Sequence, residues 1–327
     1  MYHKNPNIGI LETRPGFGGG NTYQRMVGRA LSQEFQVNNF QVSPKVFPKA
    51  RRPRMLAKIM YLSRKKKSID VWIRNFLGVA GMRGTEKETR NIALFFHIDY
   101  EKIPNRWLSR ILDHQFWKNI KKCDRVVVIA KYWDDFMKER GVENTTIIRH
   151  GLKSSEFVFT ENEIAEFKKK YALTKKPIIY LGNCQESKGV REAYEALKKL
   201  PYHLVTSGKK EAEIPAEHLE LPYREYLRLL KSASVVLTMS KFLEGWNITA
   251  HEAMLCKTPV IGTGSGGMRE LLEGGNQIVC EDFAKLPECV DLAIRNGENL
   301  GKAGFAYAKD LSFERFKREW IDLIENI

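Results

Sequence analysis

Glu244 and Glu252 stand eight residues apart in the run Leu243-Glu244-Gly245-Trp246-Asn247-Ile248-Thr249-Ala250-His251-Glu252-Ala253-Met254. A carboxylate accepts two hydrogen bonds at once, which suits a vicinal diol. A β-branched run, Ser234–Met239, precedes the pair, and Pro259-Val260-Ile261-Gly262 follows it. Both read as buried strands. The span between them predicts a helix of about eight to ten residues, with Asn247 as its N-cap. The start of such a helix presents unpaired backbone N–H groups and positive potential, which suit a phosphate or a sugar hydroxyl. Gly245 lets a ligand approach the backbone. On this layout Glu252 can take the two hydroxyls of a ribose, and Glu244 those of a second sugar. A strand–helix unit with two solvated glutamates would have the same spacing.

The segment EGWNITAHEAM, followed by TPVIGTGSGGMREL, resembles the signature of retaining GT-B glycosyltransferases of the family 4 type. In that family the first Glu contacts the donor sugar and the second binds the nucleotide ribose. The resemblance assigns these roles to Glu244 and Glu252. It places Gly245, Trp246, Asn247, Ile248 and Thr249 in the donor-binding loop, with Asn247 where the family usually has Gly. Asn183-Cys184-Gln185-Glu186-Ser187-Lys188-Gly189 resembles the family's G-R-x-x-x-x-K-G loop. Lys188 then neutralises the donor diphosphate, and Asn183 replaces the Arg of the motif, so one cation of the usual pair is absent. A solvated lysine is the alternative, although a cation at a helix start opposes the helix dipole. Gly266 and Gly267 match a T-x-x-G-G-x-x-E turn that supports sugar or phosphate, or serves helix packing alone.

The positioning elements can be followed from the N-terminus. Asn7–Leu11 reads as a strand, a glycine-rich loop follows, and an amphipathic helix is expected from about Thr22 to Glu34. Most loops of this kind are only tight turns. In the resembled family a glycine loop here faces the donor phosphates and the acceptor, which singles out Gly18 and Gly19. Ile69–Arg74 and Asn91–Phe96 read as strands, the second leading into His97-Ile98-Asp99-Tyr100. Sites of α/β enzymes lie at the C-terminal ends of such strands. The resemblance makes His97 a contact for the donor sugar or an orienter of the acceptor, and Asp99 an acceptor-side base or a turn residue. Strands are also expected at 124–130, 145–152, 177–182 and 203–208. Helices are expected at 107–122, 131–140, 161–171, 191–200 and 221–231, and a last one at 312–325 is expected to return to the first domain.

The implied fold is α/β with GT-B architecture: two Rossmann-like domains facing across a cleft. Residues 1–155, joined by helix 312–327, would bind the acceptor, and 156–311 the nucleotide-sugar donor. The implied activity is metal-independent transfer, with retention, from a nucleotide-diphosphate sugar to a glycan or lipid-linked acceptor. The nucleotide sugar is a co-substrate, and no cofactor or metal is expected. An epimerase or phosphorylase of the same fold is the first alternative.

Charge raises a different alternative. Met1–His150 has 29 Lys and Arg against 13 Asp and Glu, whereas the remainder has 25 against 26. The whole excess lies in the first half and implies an anionic partner. Lys45–Lys67 alone holds ten basic residues, with Met55, Leu56, Ile59, Met60 and Leu62 at roughly helical spacing. Such a segment suits an anionic membrane surface. A basic membrane- or nucleic-acid-binding protein with a degenerate site is therefore the reading from another class. The base-stacking aromatics of nucleic-acid modules are not evident, so no nucleic-acid partner is expected. Five scattered cysteines without a C-x-x-C suggest free thiols in a reducing compartment. A cytoplasmic location with a peripheral hold on a membrane is the resulting expectation.

Overall fold

A computed structural model of the chain describes residues 6–12, 19–41, 68–82, 89–97, 106–173 and 176–327. Gly18, Asp99 and the basic run 45–67 lie outside the described residues. The chain forms two compact units: Met1–His150 with Glu314–Ile327, and Gly151–Phe313.

The first unit contains β1 (Asn7–Glu12), α1 (Gly19–Leu31), β2 (Gln36–Gln41), β3 (Val71–Arg74), α2 (Phe76–Ala80) and β4 (Arg90–Phe95). It continues with α3 (Arg106–Ile120), β5 (Arg125–Val128), α4 (Lys131–Lys138) and β6 (Thr145–Ile147). Its sheet is parallel, in the order β2-β1-β3-β4-β5-β6. Strands β4 and β5 are near-continuous apolar runs because helices cover both faces of a parallel sheet. Helix α1 starts at Gly19, three residues earlier than expected, and stops at Leu31, where Ser32–Glu34 turn into β2. Tyr23 on this helix is fully buried and donates to the Ile148 carbonyl at 2.8 Å. The final helix α12 (Phe313–Glu325) packs here, with Trp320 Nε1 3.3 Å from the Tyr23 hydroxyl.

The second unit contains α5 (Glu161–Lys170), β7 (Ile178–Asn183), α6 (Val190–Leu197), β8 (His203–Ser207), β9 (Glu217–Leu219), α7 (Tyr223–Ser232) and β10 (Val235–Thr238). Helix α8 (Ile248–Leu255), β11 (Val260–Gly262), α9 (Met268–Gly274), β12 (Ile278–Val279), α10 (Leu286–Arg295) and α11 (Gly297–Asp310) complete it. Its sheet is also parallel, in the order β12-β11-β10-β7-β8-β9. Ile179, Leu181, Val235, Leu237 and Ile261 form the core of the sheet, with Val190, Leu197 and Val290 packed on it from α6 and α10. All five cysteines are free thiols. No helix among the described residues is long and apolar enough to cross a membrane.

Candidate active site

In the second sheet β8 and β9 lie on one side of β7, and β10 to β12 lie on the other. The connections leaving β7 and β10 therefore diverge, which opens a crevice at their C-terminal ends. Lys188 sits on the connection after β7, and Glu244 on the one after β10. The two meet there, with Lys188 Nζ 2.5 Å from Glu244 Oε1. The same oxygen accepts from Ser240 Oγ at 2.5 Å and from Asn247 Nδ2 at 3.3 Å. Glu244 is 6% exposed, so its charge is held by these donors rather than by water.

Backbone geometry puts both partners in place. Lys188 ends a short 3₁₀ turn, Glu186–Lys188, and Gly189 follows with φ +67°. A Cβ on Gly189 would lie 2.2 Å from the Met239 carbonyl oxygen. Only glycine lets the loop press onto the end of β10 and carry Lys188 to Glu244. Opposite, Glu244 N donates to the Ser265 carbonyl at 3.2 Å, and the Glu244 carbonyl accepts from Gly267 N at 2.9 Å. Gly266, between them, has φ +66°, and a Cβ there would lie 2.5 Å from the Glu244 carbonyl oxygen. The Gly266-Gly267 turn is thus a clamp on the Glu244 backbone. Replacing Gly266 by Ala combines left-handed strain with a clash and is expected to destabilise the second unit by about 2–4 kcal/mol. Calorimetric melting checks this, and an unchanged melting temperature would refute the clamp.

Asn247 caps α8 with its Oδ1 3.0 Å from Ala250 N, and its φ is +73°. Glycine and asparagine are the residues that reach this left-handed conformation most easily. Asn247 therefore keeps the turn that glycine would make, and adds a cap and a hydrogen bond to Glu244. Gly245 is buried, Ile248 and Thr249 are half-buried in the first turn of α8, and the Trp246 indole lies in the interior. Asn183 ends β7, where its Oδ1 accepts from the Tyr180 hydroxyl at 3.2 Å.

Glu252 is 5% exposed. Its Oε1 accepts from the Tyr223 hydroxyl at 2.8 Å, and its Oε2 from the Tyr226 hydroxyl at 3.1 Å. Burial pushes its carboxyl up to about 7, against the opposing effect of the two hydroxyls. His251, its neighbour, turns the other way: its Nε2 lies 3.2 Å from the Ala308 carbonyl, and burial lowers its pKa to about 4. It is a neutral core histidine.

In the first unit Gly19 is the first residue of α1, and His97 lies half-buried just beyond β4. A Cβ on Gly20 would be 3.2 Å from the Phe96 ring, so the glycines at the start of α1 allow it to pack beside the strand end that carries His97. The second unit thus brings Lys188, Glu244, Asn247 and the Gly266-Gly267 turn together, with Glu252 on the adjoining helix.

Sequence reading missed Ser240, Tyr223 and Tyr226. The i, i+3 spacing of the two tyrosines on one helix was a usable signal; Ser240 had none. Among the described residues no group of three or more His, Cys, Asp or Glu is arranged to hold a metal ion.

An uncharacterized glycosyltransferase of Methanocaldococcus jannaschii is 25% identical over 211 residues, which is 59% of this chain and 56% of that protein. The chain thus matches little more than half the length of that relative. Among solved structures, sucrose-phosphate synthase from Thermosynechococcus elongatus has a TM-score of 0.80 at 16% identity, covering 98% of this chain and 99% of that one. HepE from Anabaena, solved in complex with UDP-glucose, has a TM-score of 0.78 at 14% identity, covering 99% and 100%. The fold is the α/β GT-B architecture, built of two parallel six-stranded units. The model of the family "Glycosyl transferases group 1" matches residues 161–304, the segment that carries Lys188, Glu244 and Glu252.

Proposed function

We propose that the chain moves a sugar from a nucleoside-diphosphate sugar to an acceptor, with retention of anomeric configuration and without a metal. The observation that carries this reading is the Lys188–Glu244 pair at the switch point of the second sheet, with the buried Glu252 on the adjoining helix α8. The UDP-glucose complex of HepE supports the donor class. Sugar departure leaves an oxocarbenium-like centre and a diphosphate with growing negative charge. Lys188 and the N–H groups at the start of α8 stabilise that charge. A diphosphate carries more charge than one carboxylate, so it draws Lys188 from Glu244. Glu244, still held by Ser240 and Asn247, then accepts from sugar hydroxyls. Glu252 takes the ribose diol.

The acceptor we assign to the first unit, as a glycan or lipid-linked molecule. His97 and Asp99 are its polar candidates, with Gly18 and Gly19 as the close-approach glycines. The excess of basic residues in 1–150, including the run 45–67, supports an anionic surface as a partner and a peripheral place on a membrane.

A thermal-shift screen with UDP, GDP, ADP and their sugars near ~1 mM tests the donor site. A ligand at about 100 times its dissociation constant adds about 2.7 kcal/mol of stability, which is readily seen. A shift with one nucleotide class, lost in Glu252→Ala, is expected. No shift with any of them, together with co-sedimentation with anionic vesicles, would instead favour the membrane-binding reading.

A further inference from the structure

We propose that Tyr223 is a placeholder for the ribose: its hydroxyl holds the Glu252 carboxylate in the ligand-free protein and gives way to the diol of a ribonucleotide. The inference rests on Glu252 being the ribose-binding carboxylate. It concerns how that group is kept and what it selects.

Both Glu252 oxygens already accept a tyrosine hydroxyl, at 2.8 Å from Tyr223 and 3.1 Å from Tyr226. With the residue only 5% exposed, a ribose cannot reach the carboxylate unless a covering group leaves. The two tyrosines are not equal in this respect. Tyr226 is tied inward: its hydroxyl also lies 3.2 Å from Thr249 Oγ1, and its ring meets Tyr180 edge-on at 6.1 Å. Tyr180 is itself fixed by a 2.7 Å hydrogen bond to Ser207 Oγ. Withdrawing the Tyr226 hydroxyl would leave a buried polar group without its partner, a costly change.

Tyr223 is 51% exposed and is the first residue of α7, where Pro222 makes no side-chain cap. Its hydroxyl can pass from Glu252 to water by a side-chain rotation alone. An exposed phenol loses little by that exchange, because water replaces the bond. Burial also makes an unsupported Glu252 carboxylate unfavourable, so Tyr223 leaves as a ribose hydroxyl arrives rather than before it. Tyr226 stays and keeps the carboxylate oriented. A ligand must then return the bond it displaces, which favours two adjacent hydroxyls over one.

Removing only the hydroxyl, as in Tyr223→Phe, keeps the ring and deletes the competition. Isothermal titration at pH 8 with UDP, GDP and ADP, and with their 2′-deoxy forms, reads the effect. Tyr223→Phe is expected to bind the ribonucleotide about tenfold more tightly than wild type, the worth of one hydrogen bond to a charged group. The 2′-deoxy form, which no longer has to return a displaced bond with its single hydroxyl, should gain at least as much, so the preference for ribose should fall. Tyr226→Phe should weaken both forms.

The pH profile gives a second readout. Tyr223 and Tyr226 face Glu252 from α7, Tyr180 faces it from β7, and Cys256 lies one turn along α8. Arg224 and Lys231 act on Cys256, and Glu156 acts on Tyr223. With one donor gone, the midpoint at which acid weakens binding should move to higher pH in Tyr223→Phe, as expected if its hydroxyl is a donor to Glu252, while the gain in ribonucleotide affinity at pH 8 is what a purely structural role would not produce.

Unchanged or weaker ribonucleotide binding in Tyr223→Phe, with wild-type binding intact and weakened about tenfold or more in Glu252→Gln, overturns the placeholder role alone. Absence of wild-type binding to all three nucleotides overturns the donor-site reading, and this inference with it.

Discussion

Lys188→Met is expected to slow sugar transfer by about a hundred- to a thousand-fold, the range found when one preorganised electrostatic stabiliser is removed from a developing charge. The loss should appear in turnover and in affinity for the nucleoside diphosphate product, because both present the charge that Lys188 meets. The same lysine lies 2.5 Å from a carboxylate that is 6% exposed, so removing it also leaves Glu244 with one donor fewer. Breaking a buried pair from one side costs stability, by about 3–5 kcal/mol where both partners are fully desolvated. Lys188 keeps 27% of its side-chain surface exposed, so a smaller loss is expected. The double variant Lys188→Met/Glu244→Gln separates the two effects. Stability should recover, because no unpaired charge remains, while transfer should stay low. Recovery of turnover in the double variant would mean that Lys188 serves Glu244 alone, and the diphosphate role would fall.

Glu252→Gln is expected to make the protein more stable and less able to bind its donor. Burial raises the Glu252 carboxyl from 4.5 to about 7 in the folded protein. The folded state therefore holds this proton more tightly than the unfolded chain does. The group costs nothing below pH 4.5, destabilises progressively as pH rises towards 7, and exerts its full cost above that. A difference of that size corresponds to about 3 kcal/mol. Glutamine carries no charge, so the variant should melt higher than wild type at pH 8 and about equally at pH 4.5, as calorimetry would record. Nucleotide affinity should move the other way, because an amide is a poorer acceptor for a diol, with a loss of tenfold or more. In wild type the affinity should itself decline as pH falls through about 7 and Glu252 takes up its proton. A variant that melts no higher at pH 8 would show that the carboxylate is not held at a cost. A group kept charged against its own stability fits a binding function better than a structural one.

Much of this site was legible in the linear chain because its parts are local. A β-branched run, a capping asparagine and a carboxylate at fixed spacing specify strand, turn and helix start without help from distant residues, and α8 begins at Ile248 behind Asn247 as that chemistry requires. The apolar runs of β4, β7 and β10 likewise announced parallel strands covered on both faces. Weakly apolar edge strands escaped notice: β2, with Asn38 and Asn39 at its centre, and the three-residue β9. Their pairing comes from a neighbouring strand and not from their own hydrophobic pattern.

Only the tertiary structure could decide which side chains meet. Lys188 and Glu244 are 56 residues apart, and their contact depends on strand order, since β10 returns beside β7. The replacement of the family's usual glycine by Asn247 loses its ambiguity once φ is known to be +73°. Glu252 read as an open diol acceptor. In the fold it is a buried carboxylate with both oxygens engaged, because α7 lays Tyr223 and Tyr226 across it. Local chemistry is written in short segments, whereas burial and partnership are properties of the packed chain, and they turn a pair of spaced glutamates into one carboxylate paired with a lysine and another held between two phenols.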